Sequence, residues 1–315
     1  MKKMIEQLFL LLCRCLPNKL ARHAMFVLQS HPKLTDSWGV HVRTIHYYDP
    51  LPDFQNITAA QTRQYREHLS FDLNLAAQLD LQRVLSETAA AELQMIAADM
   101  TSKGFPFDNA YFSKLDASIY YALIRYLKPA TIIEIGCGFS TRIADMALKR
   151  NRTEGYPGKL ICIEPYPEAR LTEFALEMEL IRQPVQEVKL EMFQRLKDND
   201  ILFIDSSHVA KFQSDVCHEF LTILPTLAPG VWVHVHDIFF PADYPADWLV
   251  EKRIAFNEQY LLEAFLAFNH AFTPQCALHL LWLQHTDVMR HCWPDAVLPK
   301  PDGNGAASFW MKRNV

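Results

Sequence analysis

The run "VWVHVHD" (231–237) spends two histidines and an aspartate on the end of an otherwise apolar strand, where valine or isoleucine would pack better. A second acid–histidine pair, Asp205 and His208, lies in "FIDSSH" (203–208). Imidazoles titrate near neutral pH and can take a proton from a reacting hydroxyl. Aspartates beside an imidazole can equally hold a divalent cation. Side chains alternate along a strand, so His234 and His236 share one face and Asp237 points to the other. A strand's last residues leave the pleat as they enter a loop, which lets His236 and Asp237 reach one site. His234, two residues deeper, reads as a hydrogen-bonded core histidine. Metal site, catalytic base and core pair all stay open on this stretch alone.

Other chemistry-bearing residues fall at matching places. "EIGCGFST" (134–141) follows an apolar run and opens a helical one. Glycines there let the backbone turn sharply and approach a ligand at a helix N-terminus. Gly136 and Gly138 fill two positions of the dinucleotide fingerprint G-x-G-x-x-G, but the third falls on Thr141, which disfavours a nicotinamide cofactor. Glu164 ends the next apolar run, where a carboxylate can accept from both hydroxyls of a ribose.

These residues need a sheet to bring them together. "TIIEI" (131–135), "KLICIE" (159–164), "DILFID" (200–205) and "VWVHVHD" are short apolar runs, with turns and helical stretches between them. That alternation predicts crossover units and a mainly parallel sheet, with ligands bound beyond the strands' carboxyl ends. Glu134, Gly136, Gly138, Glu164, Asp205 and Asp237 all fall on that edge. Further on, the pattern predicts a helix at 257–269, N-capped by Asn257, a strand at about 277–284, a last strand near 307–312, and a surface excursion or lid over 286–306. Asn257, Gln259 and Tyr260, with Trp248, Phe239 and Phe240, lie near the same edge as candidate acceptor contacts, with capping and packing as the alternative. Upstream, apolar residues at threes and fours predict helix from about 59 to 100, and another through "YFSKLDASIYYALIRYLK". The expected organisation is a helical N-terminal region, 1–103, and an α/β domain, 104–315.

Composition bounds the function. Half of the 315 residues are apolar, 21% are charged, and the formal net charge is −5, without a basic block to grip phosphate backbones, so no nucleic-acid partner is expected. The seven cysteines include no pair of CxxC hooks and fit reduced thiols in a cytoplasm. The N-terminus, "MKKMIEQLFLLLCRCLPNKLARHAMF", has an apolar run too short to span a bilayer and no small-residue cleavage site. It predicts unprocessed helix over residues 1–30. The expected role of that helix is packing on its own domain or on a second subunit of a homodimer; the alternative is that Lys2, Lys3, Arg14, Lys19 and Arg22 let it rest on anionic lipid.

"EIGCGFST", "CIEP", "FIDSSH" and "HVHDIF" together resemble the class I S-adenosylmethionine-dependent methyltransferases, particularly the bacterial group with a V-D-x-S-H turn after strand four. The resemblance covers roughly 105–315. It implies a Rossmann-like seven-stranded sheet with its last strand antiparallel, and S-adenosyl-L-methionine as cofactor. It implies that the turn from Gly136 to Ser140, with Glu134 and Thr141, borders the amino-acid part of that cofactor. Glu164 would bind the ribose, Gln186 would lie near the adenine, and Asp205 would face the cofactor. His208, His236 and Asp237 would be catalytic. Some similar enzymes hold magnesium with an aspartate after strand four and an acidic pair after strand five. Asp205 and Asp237 match two of those ligands, and His236 stands at the third, which moves the preference from magnesium toward manganese, iron or zinc; the expected ion is magnesium or manganese. The expected activity is O-methylation of a small molecule or glycan. The alternatives are a metal-dependent hydroxylase on the same fold and a non-catalytic cofactor-binding module.

Overall fold

The computed structural model describes residues 15–62, 64–102, 109, 111–168, 176–294, 296 and 306–315, together with residues 3, 7 and 11. The chain divides into two compact units, Met1–Ile57 and Thr58–Val315. This division comes earlier than the 103/104 boundary read from the change of period, because the long helix before that point belongs to the sheet unit. In the first unit, helix α1 (Asn18–Gln29) follows Pro17, and α2 (Pro32–Ser37) starts on a proline whose missing N–H costs nothing there. Most of the helix expected over residues 1–14 lies outside the described residues.

The second unit is built on a seven-stranded sheet of order β3-β2-β1-β4-β5-β7-β6. Its strands are β1 (Thr131–Ile135), β2 (Lys159–Ile163), β3 (Glu179–Ile181), β4 (Ile201–Ile204), β5 (Trp232–Val235), β6 (Phe272–Ala277) and β7 (Phe309–Arg313). Neighbours among the first five pair in parallel, and β7 runs antiparallel to both β5 and β6. The apolar runs are continuous because both faces are covered: Ile132, Ile133, Leu160, Ile163 and all of Ile201–Ile204 are buried. The chain goes one way from β1 to β2 and β3, then returns to lay β4 on β1's other side. That reversal opens a crevice at the carboxyl ends of β1 and β4.

The helices of this unit are α3 (Ala59–Thr62), α4 (Leu75–Ser102), α5 (Lys114–Leu127), α6 (Phe139–Thr153), α7 (Leu190–Phe193), α8 (Asp215–His218), α9 (Glu258–Leu266), α10 (Leu278–Gln284) and α11 (Thr286–Cys292). Ser113 caps α5 by accepting from the Asp116 N–H, and Lys128 ends it in the left-handed conformation just before Pro129. Buried almost all round, α5 packs between α4 and α6. Its buried Arg125 is bound by Glu92 at 2.9 Å and Glu154 at 2.6 Å, and also donates to Asn151.

Three elements differ from their sequence patterns. The helix expected over 59–100 is broken, and its long part begins only after left-handed Asn74. The strand expected at 277–284 is helix α10, and the real strand β6 precedes it. A short apolar run has no period that separates helix from strand, and Pro274 hides β6. Proline is tolerated there because β6 is an edge strand with a bulge between Pro274 and Cys276. Finally, the excursion expected over 286–306 begins as helix α11, and residues 297–305 lie outside the described ones.

Candidate active site

Gly136 leaves β1 with φ +81°, and a Cβ on it would lie 1.8 Å from the Asp205 carbonyl oxygen. Only glycine permits that approach. The Gly136 N–H donates to the Ile163 carbonyl at 3.0 Å, and the Asp205 N–H donates to the Ile135 carbonyl at 2.8 Å. The ends of β1, β2 and β4 are thereby tied at one point. A Cβ on Gly138 meets no protein atom within 4 Å, so packing does not demand glycine there; the space it would enter belongs to a cavity of about 340 Å³.

Gly136, Gly138, Ser140, Glu164 and Asp205 line that cavity, with the Tyr111, Phe112 and Phe139 rings. A second cavity of about 470 Å³ shares Gly136, Glu164, Tyr166 and Asp205 and extends to Gln186 and Ser207. One Glu164 oxygen accepts from the Tyr166 N–H at 2.8 Å and the other from the Cys137 N–H at 3.4 Å, which fixes the carboxylate between the two cavities.

Glu134 and Thr141 stand behind the turn, off the cavity wall. Glu134 is fully buried and accepts from the Tyr120 hydroxyl at 3.0 Å; burial raises its carboxyl to about 7, against opposing hydrogen bonds from Thr141 and Tyr120. Thr141 also accepts from the Gly138 N–H at 3.0 Å. The residue that broke the dinucleotide fingerprint is therefore a brace, running from the glycine turn to a buried acid. Donor atoms of Glu134, Cys137 and Cys162 lie within 4.8 Å of one another, near enough to hold an ion.

Asp205 also belongs to an ionic cluster beyond the cavity wall. His208 Nε2 lies 3.2 Å from Asp205 and 3.5 Å from Asp237, while its Nδ1 lies 2.8 Å from Glu258. His236 Nδ1 lies 3.6 Å from Asp205 and 3.4 Å from Asp237. The alternation of strand β5 would keep His236 and Asp237 apart. It fails because Asp237 takes φ +56°, which turns the chain as it leaves the sheet. His208 is left-handed too, at φ +59°, and its carbonyl accepts from the Asn257 and Glu258 N–H groups at 3.0 and 3.2 Å. The start of α9 thus holds the His208 backbone while its Glu258 holds the ring.

Burial would lower the His208 pKa, but the bonds to Asp205 and Glu258 outweigh it and hold the imidazole well above its ordinary value. Burial would likewise lower His236, and the charges of Asp205 and Asp237 raise it instead. Asp205 would rise with burial, yet His236 and His208 bring it down to about 2. Burial raises both Asp237 and Glu258. Three carboxylates and two imidazoles therefore share protons, with Asp205, a third exposed, at the cavity. Among the described residues Asp205, His236 and Asp237 do not close into a mutual ligand set, and His208 already bridges the two aspartates.

His234 is fully buried, with Nε2 3.0 Å from the Ser308 hydroxyl and its ring stacked on Phe203 at 3.8 Å. Ser308 donates its one proton to Asp116 at 2.6 Å, so it accepts from His234, which is neutral with its proton on Nε2. Burial, then the charge of His236, holds His234 well below the usual imidazole range.

The candidate acceptor contacts are mostly structural. Phe239 and Trp248 pack with Tyr244, and Phe240 joins the main core. Gln259 accepts from the Phe239 N–H and donates to the Ala242 carbonyl. Asn257 does not cap α9 with its side chain, which accepts instead from the Ala210 N–H at 2.6 Å. Sequence reasoning missed Glu258 as a partner of His208, because a glutamate in a helix's first turn already has a dipole explanation. It also missed Glu219, buried behind the turn and accepting from Ser206 at 3.1 Å, and Tyr111, Phe112 and Tyr166 on the cavity walls.

Residues 133–238 match the family model described as "Methyltransferase domain". That span runs from within β1 to the residue after Asp237, so it encloses the glycine turn, Glu164, Asp205 and both cluster histidines. An uncharacterized protein of Archaeoglobus fulgidus is 32% identical over 173 residues, which cover 50% of this chain and 74% of that protein. Solved structures similar to this chain include the plantazolicin methyltransferase BpumL, at 14% identity over 77% of this chain and 99% of that one, with a TM-score of 0.38. A TDP-rhamnose 3'-O-methyltransferase of calicheamicin biosynthesis is 13% identical over 76% of this chain and 93% of that one, with a TM-score of 0.36. Residues 133–238 thus form a methyltransferase domain, with a glycine turn, an acid after β2 and an acid after β4 on one edge of a 3-2-1-4-5-7-6 sheet.

Proposed function

We propose that the chain methylates a hydroxyl oxygen of a small molecule or glycan, with His208 receiving the hydroxyl proton. The observation that carries this reading is the His208 imidazole, held by Glu258 at one nitrogen and set between Asp205 and Asp237 at the other. An oxygen nucleophile must lose a proton as it attacks, and an oriented imidazole next to the cavity meets that need.

S-adenosylmethionine supplies a methyl group on a sulfonium, whose bonding electrons return to sulfur as the methyl leaves. In this reading Gly136, Gly138 and Ser140 border its amino-acid part, Glu164 accepts from the ribose hydroxyls, and Gln186 stands on the adenine side. Asp205 orients the acceptor hydroxyl at the cavity wall. His208 Nε2 takes the proton, and Glu258 stabilises the imidazolium that forms. Asp237 and His236 close the other side of the proton-sharing cluster. A divalent ion would require Asp205, His236 and Asp237 to close further than they do, and no step here passes through one. Free thiols at Cys137, Cys162, Cys217, Cys276 and Cys292 suit a reducing compartment, for which we take the cytoplasm.

The test is methyl transfer from labelled S-adenosylmethionine to a panel of alcohol, amine and thiol acceptors. Label on oxygen, lost in His208→Ala with cofactor binding kept, is expected. Label on nitrogen or carbon, at an unchanged rate in His208→Ala, would overturn the reading.

A further inference from the structure

We propose that the N-terminal unit docks the enzyme on an anionic lipid surface through α1. The helix "NKLARHAMFVLQ" has two distinct faces at 100° per residue. Leu20, Ala21, Ala24, Met25, Val27 and Leu28 form one side, and Asn18, Lys19, Arg22, His23 and Gln29 the other. No acidic residue lies in the helix, and none of its residues is buried. Phe26, at 63% exposure, stands among the basic residues, where its ring can enter the interface beside them. A strongly amphipathic helix with a basic polar face and an exposed apolar face lies in a membrane interface.

The rest of the unit agrees. Residues 1–57 hold seven lysines and arginines against four acids, a formal +3, so the remaining residues carry −8 of the chain's −5. The unit also exposes Trp38, Tyr47 and Tyr48, residue types that settle at the headgroup level. Among the described residues no helix is long and apolar enough to cross a membrane, so the contact is peripheral. A second copy is the weaker occupant, because a two-fold contact across the apolar face would leave Lys19 and Arg22, on the opposite side of the helix, without a countercharge. An anionic leaflet answers both the charge and the apolar stripe.

Flotation of the full chain with phosphatidylcholine vesicles, with and without phosphatidylserine, tests this. Binding only to the anionic vesicles, released by high salt, is expected. Each basic side chain near such a surface strengthens binding about fivefold, so Lys19→Glu with Arg22→Glu should weaken it by more than about tenfold. Leu20→Ser with Val27→Ser should also abolish binding, while S-adenosylhomocysteine affinity stays at the wild-type value in both variants as the control for folding. No flotation, equal flotation with neutral vesicles, or a dimer dissolved by Leu20→Ser and Val27→Ser would overturn the proposal.

Discussion

His208 Nδ1 lies 2.8 Å from the carboxylate of Glu258, a buried residue fifty positions later in the chain. The bond fixes which imidazole nitrogen faces the two aspartates, and so which one can receive a proton. Removing the carboxylate without changing its shape should loosen that choice. Glu258→Gln is expected to cut turnover by about 10²-fold, on the scale of general-base effects, with cofactor affinity unchanged in calorimetry. Wild-type turnover in Glu258→Gln would remove Glu258 from the account.

The pH dependence follows from the same contacts. Hydrogen bonds to Asp205 and Glu258 hold the His208 pKa above its usual value, and the base is the deprotonated form. Activity should therefore rise with pH through a limb above the ordinary imidazole range. A bound sulfonium adds like charge near His208, which favours release of its proton. The limb in kcat should then lie at lower pH than the limb in kcat/KM, which steady-state profiles with varied cofactor can resolve. A kcat limb above the kcat/KM limb would contradict this electrostatic arrangement.

The two glycines of the turn should behave differently. Gly136→Ala places a methyl group 1.8 Å from the Asp205 carbonyl at a positive φ, so it should destabilise the fold by about 1–3 kcal/mol or more, read from denaturant midpoints. Gly138→Ala clashes with no protein atom and should fold normally while weakening S-adenosylhomocysteine binding. Equal stability of the two variants would contradict the geometry.

Much of this site was legible in the sequence, for a simple reason. Parallel strands read as continuous apolar runs, so Glu164, Asp205 and Asp237 stood out as acids at their ends. The convergence of His236 with Asp237 could only be suggested, because it depends on a left-handed aspartate that no pattern announces. Glu258 was invisible as a partner, since its role depends on where α9 docks. Thr141 was misplaced because its local position fits a cofactor-binding turn, while its side chain bonds backward to Gly138 and toward Glu134. Strand β6 was hidden by a proline that only an edge position tolerates.

His234 separates support from chemistry. It shares a strand face with His236 but spends its proton on Ser308, in a chain ending at Asp116. His234→Ala leaves Ser308 short of a donor in the core and should cost about 1–3 kcal/mol of stability. Turnover per folded molecule should stay near the wild-type value, as thermal melts and initial rates on the same sample will show.

The central claim is that His208 takes the acceptor's proton. The most direct measurement is the single-turnover rate of methyl transfer to an alcohol acceptor, across pH, for wild type and His208→Gln at saturating S-adenosylmethionine. The expected result is a wild-type rate that rises with pH and a variant rate lower by about 10² or more, with that limb gone. A His208→Gln rate equal to the wild type, with the same pH profile, would contradict it.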